Sequence, residues 1–368
     1  MTTNVPVIDA DTHIDETEAT WEYMVGEEAS LRPYYAQSEN RDPATSTGGH
    51  YWMVDGKRQR RRVRSDEATR TTRDSRELLD VDVRLRHMDE LGVDVHVIYP
   101  TLFITEFTDK PEVEFALRRS YNQWLGDRTG QSREARERLR WVMLPPVQSM
   151  DKVIDEMRRA KENGACGILK KGDREAGYWP AEEYFFPMYE EAERLDMAVC
   201  FHTGGGVPDF TPARRFPHVN FMQTKAPIQN AFLSLIAFSV PALFPKLRFA
   251  FVENGASWVP HIVYTLKRNK ERLTAAGGGI QGPDYALGAN LLQENNFYVT
   301  CQVDEDLPYI LRYAGEDNLM VGSDYSHSDP SQEGRFPDII QGWADRGEIG
   351  GTAARKILYD NPKACYGM

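Results

Sequence analysis

Cysteine is scarce in this chain, and unbroken apolar runs and surplus positive charge are missing. The four cysteines (Cys166, Cys200, Cys301 and Cys365) are widely spaced and form no CxxC pair, which argues against a zinc ribbon or a redox couple. No stretch approaches 18 uninterrupted apolar residues, and the first residues lack the basic and apolar regions of a secretory signal. We therefore expect reduced thiols and a cytoplasmic protein that does not span a membrane.

Positive charge is in deficit, with 44 Lys and Arg against 56 Asp and Glu and a net charge of −12. Nucleic acids and anionic membranes recruit proteins through clustered positive charge, so neither is an expected partner. One basic run, KRQRRRVR at residues 57–64, is the local exception. We interpret it as a solvated loop or as a patch that closes over an acidic ligand, and we expect a small-molecule substrate.

Short β-type apolar runs alternate with amphipathic helical patterns, which is typical of repeated βα units. The helical patterns include residues 150–163, 182–195, 226–238 and 258–272. Eight runs predict strands: 5–11, 93–100, 140–144, 167–171, 198–202, 247–253, 297–301 and 319–324. Periodicity alone also allows an open doubly wound sheet. The count of eight, with polar residues at the run ends, favours a single α/β domain over residues 1–368, a (β/α)₈ TIM barrel.

Two segments depart from this rhythm. Residues from about 15 to 76 are rich in charge, Gly, Thr and aromatic residues, and they are too long for a plain connection. We predict that they form an insertion after the first strand that covers the mouth of the active site. Residues 204–224 carry a GGG motif, prolines and two arginines, and they are expected to line the site as well.

Three strand ends carry residues that can bind a metal ion. The first strand ends in VIDADTHID, where alternation along a strand points Asp11 and His13 in the same direction. The fifth strand ends in VCFHTGGG at His202, and the eighth ends in LMVGSDYSHSDP at Asp324. Each residue alone has a plain structural explanation, such as a helix N-cap for the aspartate. Because a closed barrel gathers these strand ends around one axis, together they predict a metal site.

These motifs resemble the amidohydrolase superfamily, in the branch that includes aminocarboxymuconate-semialdehyde decarboxylase. The likeness runs from the first-strand motif to the closing DNPKACYG. The resemblance implies that Asp11 and His13 replace the HxH ligand pair of the family, and that His202 and Asp324 complete the ligand set. It also implies that Asp324 both binds the ion and transfers a proton, and it makes a homodimer a reasonable expectation.

Three positions depart from that family pattern or stay open. Glu253 ends strand six (FAFVENGASW), where decarboxylases of this branch commonly have histidine. It is a candidate proton shuttle, partner of a ligand imidazole or ligand of a second ion, and a helix cap is the plain alternative. Lys170 or Lys171 at the end of strand four is a candidate carboxylated bridge between two metals. His327 resembles the histidine that follows the aspartate motif, and we interpret it as a substrate or supporting contact.

Aromatic and basic residues after the strands suggest a ring-containing acid as substrate. The basic candidates for a substrate carboxylate are Arg214, Arg215 and Lys225, and a solvated surface role is the alternative. Core packing is the plain alternative for each aromatic residue. The aromatic candidates for a pocket wall are Phe103, Phe107, Tyr178, Trp179, Phe210 and Tyr325.

Three functional hypotheses follow from this pattern. The leading one is a hydrolase or decarboxylase in which a divalent ion (zinc, manganese or iron, as one ion or two) acts as Lewis acid and activates water, with Asp324, Glu253 and His202 as catalytic groups. The second is a nonheme diiron monooxygenase that hydroxylates an apolar, terpenoid-type acid, since the carboxylate-rich ligand set also suits iron. The third is a barrel that binds a metal without catalysis.

Overall fold

All eight apolar runs form strands of one parallel sheet. The computed structural model describes residues 5–38, 49–104, 106–204, 224–275, 290–328 and 330–368. Within these residues the strands are β1 (Ile8–His13), β2 (Tyr34–Gln37), β3 (His50–Val54), β4 (Lys57–Arg60), β5 (Val95–Tyr99), β6 (Leu139–Met143), β7 (Ala165–Lys170), β8 (Ala198–His202), β9 (Phe249–Val252), β10 (Phe297–Cys301) and β11 (Leu319–Val321).

The sheet closes on itself. Its order is β1-β5-β6-β7-β8-β9-β10-β11, and every neighbouring pair is parallel. A parallel bridge between Thr12 and Tyr325 joins the last strand to the first. Two backbone hydrogen bonds make this seam, from His13 N to Tyr325 O at 2.9 Å and from Asp324 N to Asp11 O at 3.0 Å. The predicted (β/α)₈ barrel is therefore confirmed.

A long helix follows each barrel strand in the described residues. These are α1 (Val81–Leu91), α2 (Pro111–Thr129), α3 (Met150–Glu162), α4 (Phe186–Arg194), α5 (Ala226–Ala237), α6 (Trp258–Ala275), α7 (Leu307–Ala314) and α8 (Phe336–Asp345). The shorter α-helical segments are Asp66–Thr69, Arg73–Arg76, Arg133–Arg138, Val240–Leu243, Leu291–Glu294, Gly351–Arg355 and Asn361–Cys365. The 3₁₀ segments in the described residues are Glu18–Trp21, Gly26–Leu31, Leu102–Ile104 and Glu183–Phe185. A π-helical turn is formed by Lys356–Asp360.

Proline marks where many of these helices begin. Pro111, Pro187, Pro227, Pro308 and Pro337 each lie in the first turn of a long helix. Proline has no N–H to donate, and the first turn of a helix has no internal acceptor for one, so the residue costs nothing there. The helices predicted at 150–163, 182–195, 226–238 and 258–272 are confirmed, with ends that differ by a few residues.

The eight barrel strands are almost entirely buried because the barrel interior and the surrounding helices cover both faces. Rings of Phe201, Phe249, Phe251 and Phe297 pack with centroids 5.1 to 6.3 Å apart. Such aromatic pairs stabilise a core beyond the area that they bury. In the described part of the chain, no helix is both long and apolar enough to cross a bilayer.

The segment after β1 contains a small sheet of its own. Strands β2, β3 and β4 pair antiparallel in that order, and the first half of the basic run forms β4. The buried rings of Trp21 and Trp52 lie 5.9 Å apart, and Trp21 also contacts Phe103 from the turn after β5 at 5.7 Å. Aromatic packing therefore joins this segment to the barrel.

Candidate metal centre

Asp11 and His13, at the end of β1, are almost fully buried and point toward each other. Nε2 of His13 lies 3.3 Å from Oδ1 of Asp11. Gly322, at the end of β11, makes room for this strand end. A Cβ atom at residue 322 would overlap the Cβ of Asp11 and would lie 2.9 Å from its backbone nitrogen. The sequence of the last strand thus fixes how closely the first strand can approach it.

Both ligand imidazoles are held in one tautomer by backbone carbonyls. Nδ1 of His13 lies 2.8 Å from Pro100 O, and Nδ1 of His202 lies 2.7 Å from Thr203 O. A carbonyl only accepts, so each Nδ1 carries the hydrogen and each Nε2 keeps its lone pair. The two Nε2 atoms face the buried carboxylates, which is the arrangement that a metal ion requires of histidine.

The other strand ends bring their carboxylates to the same place. Oδ1 of Asp11 and Oε2 of Glu253 lie 3.3 and 3.4 Å from Nε2 of His202, and Oδ1 of Asp324 lies 3.4 Å from Nε2 of His13. Glu253 and Asp324 both adopt left-handed backbone conformations, with φ of 54° and 53°. Residues other than glycine occupy this region only occasionally, and here it turns both carboxylates at the ends of their strands.

The donor atoms fall into two overlapping groups, each with all its atoms within 4.8 Å of one another. The first group is Asp11, His13, His202 and Glu253, and the second is His13, Glu253, Asp324 and His327. The four predicted ligands thus all lie in the cluster, but Asp324 shares its group with His327 rather than with Asp11. Glu253, the departure from the family pattern, belongs to both groups. We refer to these six side chains as the ligand cluster.

The spacing and chemistry of the ligand cluster fit a divalent ion. Two donors at about 2.1 Å from one ion lie about 3.0 to 3.4 Å apart in octahedral or tetrahedral geometry. The Nε2 atom of His13 lies 3.3 to 3.9 Å from three carboxylate oxygens, and no described residue offers it a well-directed hydrogen bond. Carboxylate oxygen with imidazole nitrogen suits manganese, iron and zinc.

Charge within the ligand cluster keeps its carboxylates ready to bind a cation. Burial alone would raise the pKa of Asp11, but the neighbouring imidazoles of His202 and His13 outweigh it and hold that pKa below its usual range. Burial alone would likewise lower the pKa of His202, whereas Asp11 and Glu253 raise it above its ordinary value. The first shift favours the ionised carboxylate of Asp11, and the second favours the protonated imidazole of His202, whose Nε2 proton a bound metal ion would replace.

A turn after β5 supports two imidazoles at once, a role that no sequence motif indicates. Pro100 accepts from His13, and Thr101 Oγ1 lies 3.1 Å from Nε2 of His327. The ring of His327 stacks on His13 with centroids 3.9 Å apart, and its Nδ1 lies 2.7 Å from Oδ1 of Asp324. Buried Glu16 fixes the turn by accepting the backbone N–H groups of Thr101 and the residue after it.

Two further buried groups hold the strand that carries Asp11 and His13. Asp9 accepts hydrogen bonds from the backbone and hydroxyl of Ser323, across the seam of the barrel. Burial raises the pKa of Asp9 to about 7. Arg84 on α1 donates to His13 O at 2.9 Å and to Thr12 Oγ1 at 3.0 Å. Sequence reasoning missed both residues because neither stands at the C-terminal end of a strand.

The two lysines at the end of β7 differ in burial, which shows which of them points inward. Lys170 is the buried residue, and its ammonium pairs with Glu175 and lies 3.6 Å from the centre of the Phe185 ring. Lys171 is partly exposed and lies 3.7 Å from Glu106. A lysine that bridges two metals would have to face the ligand cluster, whereas the described contacts of Lys170 are with Glu175 and Phe185.

The aromatic residues that were predicted to line one pocket do not lie together. Phe103 and Phe107 pack together in the buried core beside the segment after β1, and Trp179 is 36% exposed beside Arg174. The hydroxyl of Tyr325 bonds to Ser75 and His87, which ties it to the helices around the barrel rather than to the ligand cluster.

The basic residues predicted to contact the substrate, and two of the aromatic ones, lie in different places. Arg214, Arg215 and the aromatic Phe210 lie outside the described residues. The ammonium of Lys225 donates to the backbone carbonyl of Glu253, so it supports the left-handed turn that presents this carboxylate. Tyr178, 41% exposed, stacks on Tyr184 with centroids 4.1 Å apart.

The basic run supplies two arginines close to the ligand cluster. Arg64 is 5% exposed and pairs with Asp15, and the charges of Asp324 and Glu16 also act on its guanidinium. Its Nη2 atom is buried and makes no hydrogen bond to any described residue. Arg62 is partly buried, and with Arg64 it acts electrostatically on His327. Positive charge from the segment after β1 therefore acts on Asp324 and His327 of the cluster.

Known proteins share both sequence and fold with this chain. A 2-amino-3-carboxymuconate-6-semialdehyde decarboxylase of Dictyostelium discoideum is 26% identical over 255 residues, which cover 67% of this chain and 66% of that relative. The structure of an amidohydrolase from Mycobacterium avium subsp. paratuberculosis K-10 matches with a TM-score of 0.76 at 18% identity, over 100% of this chain and 99% of that one.

A manganese-bound 5-carboxyvanillate decarboxylase from Novosphingobium aromaticivorans matches with a TM-score of 0.68 at 18% identity, over 99% and 97% of the two chains. At this identity the structural matches show the fold. The sequence model of the amidohydrolase family matches residues 8–368. A match over nearly the whole length, on a barrel with this strand-end cluster, shows that the chain belongs to the amidohydrolase family.

Proposed function

We propose that this protein is a metal-dependent decarboxylase that removes CO₂ from a small, ring-containing organic acid. The observation that supports this most directly is the buried ligand cluster, with the cationic side chain of Arg64 within electrostatic reach of Asp324. The similarity to decarboxylases of carboxylated aromatic and muconate-type acids points in the same direction.

Asp11, His13 and His202, with Glu253 or Asp324, would hold the ion. A bound divalent ion supplies Lewis acidity, which withdraws electrons from substrate oxygen atoms and stabilises negative charge on the carbon that loses CO₂. The carbonyls of Pro100 and Thr203 keep both imidazoles in the tautomer that can bind it. These contacts orient the ligands before the ion arrives, so little reorganisation is needed.

Arg64 is suited to hold a substrate carboxylate. One of its nitrogen atoms is already engaged with Asp15, whereas its buried Nη2 makes no hydrogen bond to a described residue. A guanidinium presents several N–H groups in a plane, and a carboxylate can accept two of them. We infer that residues 15–76 act as a cover that brings this cation to the mouth of the barrel.

Asp324 is the group best placed to transfer a proton. When the C–C bond to the carboxylate breaks, its electron pair remains on the ring carbon, which must then gain a proton. Asp324 is nearly fully buried and touches both His13 and His327, so its protonation state is controlled by neighbours rather than by bulk water. Glu253 lies near the Nε2 atoms of both His13 and His202, so we assign it to metal binding rather than to proton transfer.

Hydrolysis would use the same groups, with Asp324 taking a proton from water instead. The unengaged nitrogen of Arg64 favours a substrate that brings an acid to this position, and that favours decarboxylation. The monooxygenase alternative has no support from the relatives, whose names include several decarboxylases and a 4-oxalomesaconate hydratase. A non-catalytic barrel would not need six clustered metal-binding side chains near a cation suited to a substrate carboxylate.

The test is CO₂ release from a panel of hydroxylated benzoates and carboxylated phenols. Protein stripped with a chelator and reloaded with MnCl₂ should release CO₂ and, in D₂O, place one deuterium on the ring carbon. Asp324→Asn should lose turnover, whereas Asp304→Asn, which changes an exposed carboxylate, should retain it. Turnover that splits an ester or amide without CO₂ would replace the proposal with hydrolysis, and turnover in the metal-free protein would refute it.

A further inference from the structure

The turn after β9 carries a buried amide that the fold does not use. Asn254 follows Glu253 directly and is 7% exposed. Neither its Oδ1 nor its Nδ2 atom makes a hydrogen bond to any described residue. We propose that Asn254 is a specificity-determining residue whose amide binds a hydroxyl group of the substrate, separate from the carboxylate that is lost. This inference deepens the proposed function and rests on it for the class of substrate.

Two other buried asparagines show what a structural amide looks like in this chain. Asn122 accepts the backbone N–H of Leu144 at 2.9 Å and donates to the carbonyl of the same residue at 3.0 Å. Asn361 donates to the carbonyl of Leu319 at 2.7 Å. A buried amide without a partner has lost its hydrogen bonds to water and gained none in return, so its presence needs an explanation other than stability.

The backbone on both sides of this amide is held in place. The N–H of Glu253 donates to Thr300 Oγ1 at 2.9 Å, and its carbonyl accepts from the ammonium of Lys225. Three residues further along the chain, the N–H of Ala256 donates to the carboxylate of Glu305 at 2.9 Å. The turn therefore presents the amide from a fixed backbone, which is what precise recognition of a ligand requires.

The position of Asn254 in the barrel is that of a substrate contact. It stands at the carboxyl end of β9, and barrel enzymes bind their substrates at this end of the strands. Consecutive Cα atoms are about 3.8 Å apart, so Asn254 adjoins Glu253, which belongs to both donor groups of the ligand cluster. Arg64, the proposed anchor of the carboxylate, acts instead on Asp324 at the end of β11. The two residues would thus contact different groups of one substrate.

The chemistry of an amide identifies the group that it would bind. The side chain of asparagine offers an oxygen atom that accepts and an NH₂ group that donates. A hydroxyl group both donates and accepts, so it can pair with either half of the amide. A methoxy group can pair only with the NH₂ half, and an unsubstituted ring carbon pairs with neither. We therefore expect the preference hydroxyl, then methoxy, then hydrogen at the ring position that meets Asn254.

The experiment uses benzoate, the three monohydroxybenzoates and the three monomethoxybenzoates as probes. Calorimetry with the MnCl₂-loaded protein gives the affinity for each acid, and kcat/KM is measured wherever CO₂ is released. The wild type should prefer one hydroxybenzoate over benzoate by about a hundredfold, because a buried amide left unpaired penalises the plain ring. Asn254→Leu keeps the approximate size and should lose about tenfold or more of this preference. Its affinities for benzoate and for Mn²⁺ should be unchanged.

Thermal unfolding separates a substrate contact from a structural one. Asn254→Leu removes a polar group without a described partner, so the unfolding temperature of the metal-free protein should not fall. The matched control Asn122→Leu removes two hydrogen bonds to the backbone. It should lower the unfolding temperature by about 2 °C or more and leave the preference for the hydroxyl group intact. Asn254→Ser keeps a donor and an acceptor and should recover part of the preference.

The outcomes separate this inference from the proposed function. An equal preference for the hydroxyl group in the wild type and in Asn254→Leu would overturn the role of Asn254, even if CO₂ is released at full rate. A fall in unfolding temperature as large as that of Asn122→Leu would make the amide structural and would also overturn it. A preference in calorimetry that depends on Asn254, without CO₂ release from any acid, would support the inference and overturn the proposed decarboxylase.

Discussion

Replacement of Gly322 by alanine tests how closely the metal site depends on the closure of the barrel. The new methyl carbon would overlap the Cβ of Asp11 and lie 2.9 Å from its backbone nitrogen, whereas ordinary contacts begin at 3.4 Å. The ends of β1 and β11 must therefore separate by about 0.5 Å or more. Metal sites tolerate errors of only about 0.2 Å in ligand distance, so this shift is large for a ligand.

We expect Gly322→Ala to lower the free energy of unfolding of the metal-free protein by about 1 to 3 kcal/mol, the usual cost of overpacking. The affinity for Mn²⁺ should fall by about ten- to a hundredfold, because the carboxylate of Asp11 moves with its strand. Urea unfolding followed by circular dichroism and calorimetric titration with MnCl₂ measure the two effects.

The matched control is Gly351→Ala, since a Cβ atom there meets nothing within 4 Å and the residue begins a helix. It should leave the affinity for Mn²⁺ unchanged and should not lower stability. If Gly322→Ala bound Mn²⁺ within twofold of the wild-type affinity and unfolded at the same urea concentration, the link between seam and metal site would be refuted.

Four other changes test separate parts of the site. Asp324→Asn should abolish metal-dependent turnover in a CO₂ assay; full activity would refute its catalytic role. Arg64→Ala should raise KM for the acid about ten- to a hundredfold, and Arg64→Lys should recover part of this loss because it keeps the charge; an unchanged KM would exclude Arg64 as the anchor. Lys170→Met leaves the carboxylate of Glu175 buried without its partner, and it should lower the free energy of unfolding measured with urea by about 3 to 5 kcal/mol. The double variant that also carries Glu175→Gln should regain part of this stability. Burial raises the pKa of Glu16 to about 8, so the folded state holds this proton more tightly than the unfolded state does. The wild type should therefore lose stability relative to Glu16→Gln as the pH rises from about 5 to 8. A difference in stability that does not change with pH would contradict this.

The strands and several members of the ligand cluster could be predicted because both depend on local patterns. A buried parallel strand reads as a short apolar run, and a polar residue at its end stands out against that run. Asp11, His202 and Asp324 were visible for this reason. Since the barrel gathers the carboxyl ends of its strands, the residues did not need to be near one another in sequence.

The supporting contacts could not be predicted because they depend on neighbours that are distant in sequence. Glu16, Thr101 and Arg84 act on the ligands through single hydrogen bonds, and no period or motif marks such residues. The sequence flagged Glu253 as a departure, but only the three-dimensional arrangement shows that it lies among the ligands. Phe103 likewise looked like a pocket residue, although packing against Trp21 places it in the core.

The seam of the barrel is made by the same few residues that carry the chemistry. The two backbone hydrogen bonds that join the ends of β1 and β11 start from His13 and Asp324 themselves. In many barrels the loops can be remodelled while the ring of strands stays constant. Here, most replacements of Asp324 would place a larger side chain on a left-handed backbone at the seam itself, so libraries aimed at a new substrate are better placed in the segment after β1 and in the turn after β7.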